Sequence, residues 1–340
     1  MFIIRVKKQA ILIFGIFLVL GFSSILFLSR EICNAEENKN FIKYAEFNPT
    51  YEALNKAMKE DIKSHDKDIK INWIEVLACL GSKYGGDFKR YKESDMDEIL
   101  KKLKSGKPMS EITSGMKNYN YYYQVYEAVL KEFLGTYKIK KNPSNGDEEW
   151  QEIYGLKAFS PIAKTFPFSH FDDFGASRSY GFSRPHLGHD MMSATGTPVV
   201  AVESGTVEIM GWNQYGGWRI GIRSFDKKRY YYYAHLRQNK PYSSNLKEGA
   251  VVKAGDVIGY VGRTGYSTKE NVNNINESHL HWGMELIFDE SQKECDNEIW
   301  INLYAITKLL EQNKCSVMRN TESREFSREC DFWEANLENK

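Results

Sequence analysis

Five of the chain's seven histidines fall between positions 186 and 281: His186, His189, His235, His279 and His281. Two stand in His279-Leu280-His281. In a strand, alternate residues share a face, so both imidazoles would project together with Leu280 turned to the opposite layer. The run His186-Leu187-Gly188-His189-Asp190 sets His186 and Asp190 four apart. Both can reach one side whether the segment is extended or helical. Two imidazoles and a carboxylate are good zinc ligands, and a catalytic zinc keeps three protein ligands and an open position for water. His186, Asp190 and His281 supply such a set. Tyr233-Ala234-His235-Leu236, at the end of the aromatic run Tyr230 to Tyr233, adds a third element. Taken singly, each has an ordinary alternative: a surface strand with histidines, a turn Asp beside exposed rings, an edge His. The chemical case rests on all three coinciding in one segment, with glycine-rich stretches between them.

The elements that must position these residues begin near Phe159, where the texture changes. Glycine becomes frequent, and short β-branched or aromatic runs alternate with turn residues. Thr197–Val202, Thr206–Met210, Trp218–Ile222, Arg229–Ala234, Val257–Val261 and His279–Phe288 read as strands, and Trp300 to Leu310 as one closing helix. Before this β-region, Pro49 to about Ile139 has helical spacing, with candidate helices at Tyr51–Lys63, Ile71–Leu80, Met96–Leu103 and Tyr123–Leu134. The pair Gly85-Gly86 is a stop signal for the second. The stretch Lys140 to Glu148, with Pro143, Asn145 and Gly146, is turn-rich. The division that follows is 1–35 signal anchor or signal peptide, 36–139 helical domain, 140–154 linker, 155–312 catalytic domain and 313–340 a loosely held polar tail. The fold class is α+β: an N-terminal transmembrane helix, a small all-α domain, then an antiparallel β-sheet domain.

Composition narrows the setting. Hydrophobic residues make up 42% of the 340 and charged residues 27%, enough for packed cores. The net charge of +1, from 46 basic and 45 acidic residues, offers no concentrated basic face for nucleic acid. Arg5, Lys7 and Lys8 precede an uncharged apolar run from Ala10 to Leu28, close to the ~20 residues of a membrane-spanning helix. The basic flank belongs in the cytoplasm, which places the following domains outside. The run length favours an uncleaved, single-pass anchor; the alternative is a secreted chain cleaved near Ala35. The five cysteines, Cys33, Cys79, Cys295, Cys315 and Cys330, form no Cys-x-x-Cys pair, so a thiolate zinc site is not indicated. Cys315 could pair with Cys330, or Cys295 with either, but free thiols are favoured.

The segment from about Ser177 to Phe288 resembles the lysostaphin-type peptidases, the M23 family of zinc metallopeptidases. The motifs run in the family's order: His186 to Asp190, Gly196-Thr197-Pro198-Val199, Gly205-Thr206-Val207, Tyr233-Ala234-His235-Leu236, Val252 to Gly259, Gly262-Arg263-Thr264-Gly265, and His279-Leu280-His281. The run Phe174 to Arg178 with Tyr180-Gly181 resembles the usual lead-in to the first ligand. The resemblance implies a duplicated-hybrid-motif-like β-domain with one Zn2+ per chain on His186, Asp190 and His281. It implies His279 and His235 as the catalytic non-ligand histidines, His279 as general base and His235 orienting the water or stabilising the oxyanion, with the two roles exchangeable. The implied function is metal-activated hydrolysis of peptide cross-links in peptidoglycan.

Three features depart from the family pattern. The Asn-rich stretch Tyr266 to Ser278 is longer than usual and reads as an enlarged loop beside the cleft. His189 stands where an apolar residue is common, either turned away or competing as a ligand. Trp282-Gly283-Met284-Glu285 replaces an aromatic followed directly by an acid. The helical region is faintly similar to the first core helix of lysozyme-like transglycosylases, but lacks the acid that chemistry needs before Gly85-Gly86; a spacer, a wall-binding module or a cover over the groove remain its readings. The alternative function is a catalytically silent M23-like scaffold or activator of another wall hydrolase.

Overall fold

The computed structural model describes residues 41–141, 149–179, 183–293, 297–338 and 340. The expected anchor or signal at 1–35, Cys33, Cys295 and the Tyr180-Gly181 pair lie outside the described residues. Among the described residues, no helix is long and apolar enough to cross a membrane. Two compact units are present. The larger spans Ala45–Leu286 and Trp300–Lys340; the smaller contains the described parts of 41–44 and 287–299. In the smaller unit, Asp289 caps the turn Glu290–Gln292, and the Gln292 amide donates to the carbonyl of Ile42 at 2.8 Å.

In the larger unit, helices run Tyr51–Ser64, Trp73–Tyr84, Glu93–Lys104, Met109–Ile112 and Tyr119–Leu130. Their starts follow from local chemistry. Thr50 Oγ1 accepts from the amide of Ala53, and Asn72 Oδ1 accepts from those of Ile74 and Glu75, satisfying donors that a helix start leaves unpaired. The second helix stops at Gly85, whose left-handed φ of 60° lets Gly86 donate to Gly81. The stripe Ala53, Leu54, Ala57 and Met58 is buried, as are Met96, Ile99, Leu100 and Leu103, each at the spacing of one helical face.

The main sheet is antiparallel. Along its path lie Val251–Val252, Gly205–Asn213, Gly217–Ser224, Arg229–Ala234, His279–Leu286, His189–Met192 and Ser169–His170. Its core face carries Ile220, Ile222, Tyr231, Tyr233, Leu280, Trp282 and Met284, each at most 1% exposed. Pro198–Val200 pairs separately with Val257–Tyr260. The closing helix begins at Tyr304, whose amide donates to Asn302 Oδ1, and runs to Leu310.

Two expectations are corrected. Residues 134–141 are neither helix nor linker but a strand, Leu134–Lys141, paired with Gln151–Leu156. The C-terminal segment is not a loose tail: Cys330–Trp333 adds to the other edge of that strand. Phe332 supplies the reason. It is 1% exposed and packs against Tyr137 and Phe159. Next to it, Glu334 and Glu132 both accept from the Lys157 ammonium at 2.6 and 2.7 Å. Burial works against that charge, but the two carboxylates hold its pKa above the ordinary lysine value.

Helices and sheet are joined by buried polar contacts. Arg229, fully buried, donates to both Glu203 oxygens and, through Nη1 at 2.6 Å, to the carbonyl of Ala128 at the end of the fifth helix. Tyr154 donates to Asp61 at 2.7 Å and stacks on His65.

Arg229→Met leaves Glu203 buried without its cation, which is expected to cost about 3–5 kcal/mol. Urea unfolding measures it, and adding Glu203→Gln should recover part of the loss. Cys79, Cys315 and Cys330 are free thiols. Burial pushes Cys79 and Cys315 up to about 11, so at pH 8 they are almost wholly protonated. Iodoacetamide, which needs the thiolate, is expected to label the partly exposed Cys330 well before either, as read by peptide mass mapping of the native protein.

Candidate active site

The sheet register assembles the site. His281 lies directly across from Asp190 on one side and from Ala234 on the other, while His279 pairs with Met192. Directly opposed residues of an antiparallel pair point to the same face, so Asp190, His279 and His281 emerge together. His189, paired with Trp282, emerges on the other face.

His186, Asp190 and His281 converge, with one donor atom of each within 4.8 Å of the others. His186 Nε2 lies 3.1 Å from Asp190 Oδ1 and 3.1 Å from His281 Nδ1, and the last two are 2.9 Å apart. A tetrahedral zinc with bonds of about 2.0–2.1 Å separates its ligand atoms by about 3.3 Å, so the residues present fit that ion. Burial opposes the Asp190 charge, but hydrogen bonds from His186 and His281 hold its carboxyl well below the usual carboxylate range. Burial pushes His281 below the ordinary imidazole value, favouring the neutral form a metal ligand requires.

The surroundings orient these ligands. Asp173 Oδ1 lies 3.2 Å from His186 Nδ1 without a hydrogen bond to it, and Arg178 Nη2, which can only donate, lies 3.4 Å from the same nitrogen. Arg178 contacts Asp173 through Nη2 and lies 3.5 Å from Asp190 Oδ2. Gly188 gives the His281 ring its space: a Cβ there would sit 2.4 Å from both Cε1 and Nε2 of the ring.

The two other imidazoles flank the cluster. His279 Nδ1 donates to the carbonyl of Glu277 at 2.9 Å, and His235 Nδ1 to that of Thr264 at 2.9 Å. A carbonyl only accepts, so both rings carry a proton on Nδ1, and it is Nε2 that faces away from that carbonyl. His279 Nε2 lies 3.8 Å from Asp190 Oδ1. The His235 ring is 4.8 Å from that of His279 and 5.8 Å from that of His281. Burial, followed by His279, pushes His235 well below the ordinary imidazole range, so it is neutral. Its backbone is left-handed, φ 59°, a conformation uncommon for residues with a Cβ.

His189 does not reach the cluster. It is buried on the opposite face, 2.7 Å from His170 Nδ1, and burial with His170 beside it pushes it down to about 3. The Asn-rich segment is tied down: Asn271 accepts from Trp218 and from the amide of Asn239, and Asn274 donates to the carbonyl of Tyr266. Asp173 was not among the residues singled out by motif. Its carboxylate precedes His186 by thirteen positions, and the two are brought together by the pairing of Ser177–Ser179 with Ser183–Pro185, continued by His186 donating to the carbonyl of Ala176. A cavity of about 590 Å³, lined among others by Glu46, Tyr51, Gly86, Asp172 and Tyr304, is separate from the cluster.

Residues 184–294 match the family model described as Peptidase family M23. The L-Ala–D-Glu endopeptidase of Bacillus subtilis is 31% identical over 215 residues, covering 62% of this chain and 61% of that protein. Lysostaphin of Staphylococcus staphylolyticus is 40% identical over 98 residues, 28% of this chain and 18% of its own length. The chain thus spans under two thirds of either relative. A solved structure from Ruminococcus gnavus, a candidate glycyl-glycine endopeptidase, covers 79% of this chain and 91% of its own with a TM-score of 0.52 at 24% identity. That likeness concerns the fold alone.

Gly188→Ala is expected to displace the His281 ring and to cost about 1–3 kcal/mol through overpacking. Urea unfolding gives the value, and an unchanged midpoint would mean that the ring has room to retreat.

Proposed function

We propose that the chain is a zinc-dependent endopeptidase that hydrolyses peptide bonds of peptidoglycan outside the cell membrane. The observation that supports this best is the convergence of His186, Asp190 and His281 at 2.9–3.1 Å, beside two imidazoles whose Nε2 atoms face away from the carbonyls that hold Nδ1. A relative adds support, being named for an L-Ala–D-Glu bond.

His186, Asp190 and His281 would hold one zinc ion. Bound there, zinc would polarise the scissile carbonyl and lower the pKa of a bound water towards ~7. His279 takes the proton of the attacking water on Nε2 and returns it to the leaving amine. The Glu277 carbonyl keeps the ring in the tautomer that can do so. His235, neutral and protonated on Nδ1, accepts from the same water and orients it. That tautomer favours orientation over donation to an oxyanion. Asp173 and Arg178 hold the His186 ring and the Asp190 carboxylate in place. The apolar run at 10–28 would tether the enzyme to the membrane.

The alternative is a silent scaffold; such proteins usually lose ligands, and the presence of His186, Asp190, His281, His279 and His235 supports the enzyme reading. The test is zinc content of the purified ectodomain beside His281→Ala, with peptide release from purified peptidoglycan measured on the same samples. About one zinc per chain is expected, lost in the variant together with peptide release. Zinc bound without cleavage by the wild type would favour the scaffold, and absence of zinc would overturn the proposal.

A further inference from the structure

We propose that Arg184 forms a carboxylate-binding subsite, so that the enzyme selects peptides bearing a free carboxylate beside the scissile bond. This rests on the endopeptidase reading and names its substrate class. Arg184 and Arg178 are direct partners in the hairpin of Ser177–Ser179 with Ser183–Pro185, so their side chains share a face. Their surroundings differ. Arg178 is matched by Asp173 and Asp190. Among the described residues no carboxylate pairs with Arg184, and its Nε is buried without a hydrogen-bond partner.

The guanidinium is nevertheless held. Nη2 donates to the Tyr266 hydroxyl at 2.9 Å, and the group sits 5.6 Å from the ring centres of both Tyr215 and Tyr266, at cation–π range. Tyr266 is pinned by Asn274 on its carbonyl and by its own amide donating to Tyr215. Its ring lies 5.8 Å from that of His235, and Arg184 itself precedes His186 by two positions. A preorganised cation therefore stands beside the reacting centre with its charge uncompensated by the protein. With Nε buried and one Nη2 hydrogen on Tyr266, the Nη1–Nη2 edge keeps the donors that match a carboxylate, and binding an anionic group is the interaction this wall can offer. A glycyl-glycine bond presents no such group; an alanyl-glutamate bond does.

The experiment uses the zinc-loaded full chain and two L-Ala-D-Glu peptides, identical except that the free glutamate carboxylate of one is a carboxamide in the other. Wild type is expected to favour the free acid by roughly 10- to 100-fold in kcat/KM, mostly through KM, because the contact is made equally in ground and transition states. Arg184→Gln should bring the two peptides close to equal, with Arg184→Lys keeping part of the preference. Equal handling of both peptides by wild type, or a loss in Arg184→Gln that leaves the preference intact, overturns the subsite. Should wild type cleave neither peptide, the endopeptidase reading fails on its own account. Calorimetric binding to zinc-loaded His279→Ala then decides the subsite: tighter binding of the free acid supports it, and equal or absent binding overturns it.

Discussion

The pairing of His279–Leu286 with His189–Met192 is the constraint on which the site depends. Its register sets His281 opposite Asp190, and a slip of one residue would carry every side chain of the strand to the other face. What forbids the slip is the apolar half of the same strand. Leu280, Trp282 and Met284 are fully buried, and exchanging them with two histidines would expose three large side chains at about 1.5–3 kcal/mol each. The polar cluster is therefore positioned by the hydrophobic layer behind it. His189 belongs to that layer as well, held neutral by burial against His170.

A second layer of control acts on proton positions. His235 and His279 lie at the ends of strands, where the backbone turns and carbonyls become available. Thr264 and Glu277 accept from their Nδ1 atoms and so decide which nitrogen faces the cluster. Bringing the Thr264 carbonyl to His235 requires close approach by the neighbouring strand. Gly217, at φ 64°, allows it, since a Cβ there would lie 2.4 Å from the Thr264 carbonyl carbon. The glycines of these motifs thus serve the histidines at one remove.

The period-two spacing of His279 and His281 and the four-residue interval of His186 and Asp190 were legible in the sequence because each is a local pattern that the backbone converts directly into a shared face. The convergence of the three segments was legible only through family resemblance, since nothing local links residues 186 and 281. Tyr266 acts through contacts across a loop, where sequence distance carries no geometric meaning, and Asp173 and Arg184 are placed by a hairpin of two three-residue strands too short to read from the sequence. The strand Leu134–Lys141 was hidden by its composition: only Tyr137 and Ile139 alternate with Lys138 and Lys140, too short a run to signal a strand that lies between Gln151–Leu156 and Cys330–Trp333. Cys330–Trp333 was hidden by length, four residues whose burial rests on Phe332 alone.

That misreading bears on how the helical region relates to the catalytic one. A spacer or a removable cover would touch the β-region through an exposed, weakly held surface. Here the carbonyl of Ala128 is bonded by a fully buried arginine that also pairs with Glu203, and Lys157 is shared between Glu132 and Glu334. Separating the helices would strip a partner from each buried cation, a change that costs about 3–5 kcal/mol where one member of such a group is lost. It would also leave Gln151–Leu156 and Cys330–Trp333 without the strand that lies between them. The helices and the sheet are in this sense one folding unit, and any restraint on the site between the histidines has to come from a smaller motion than their detachment.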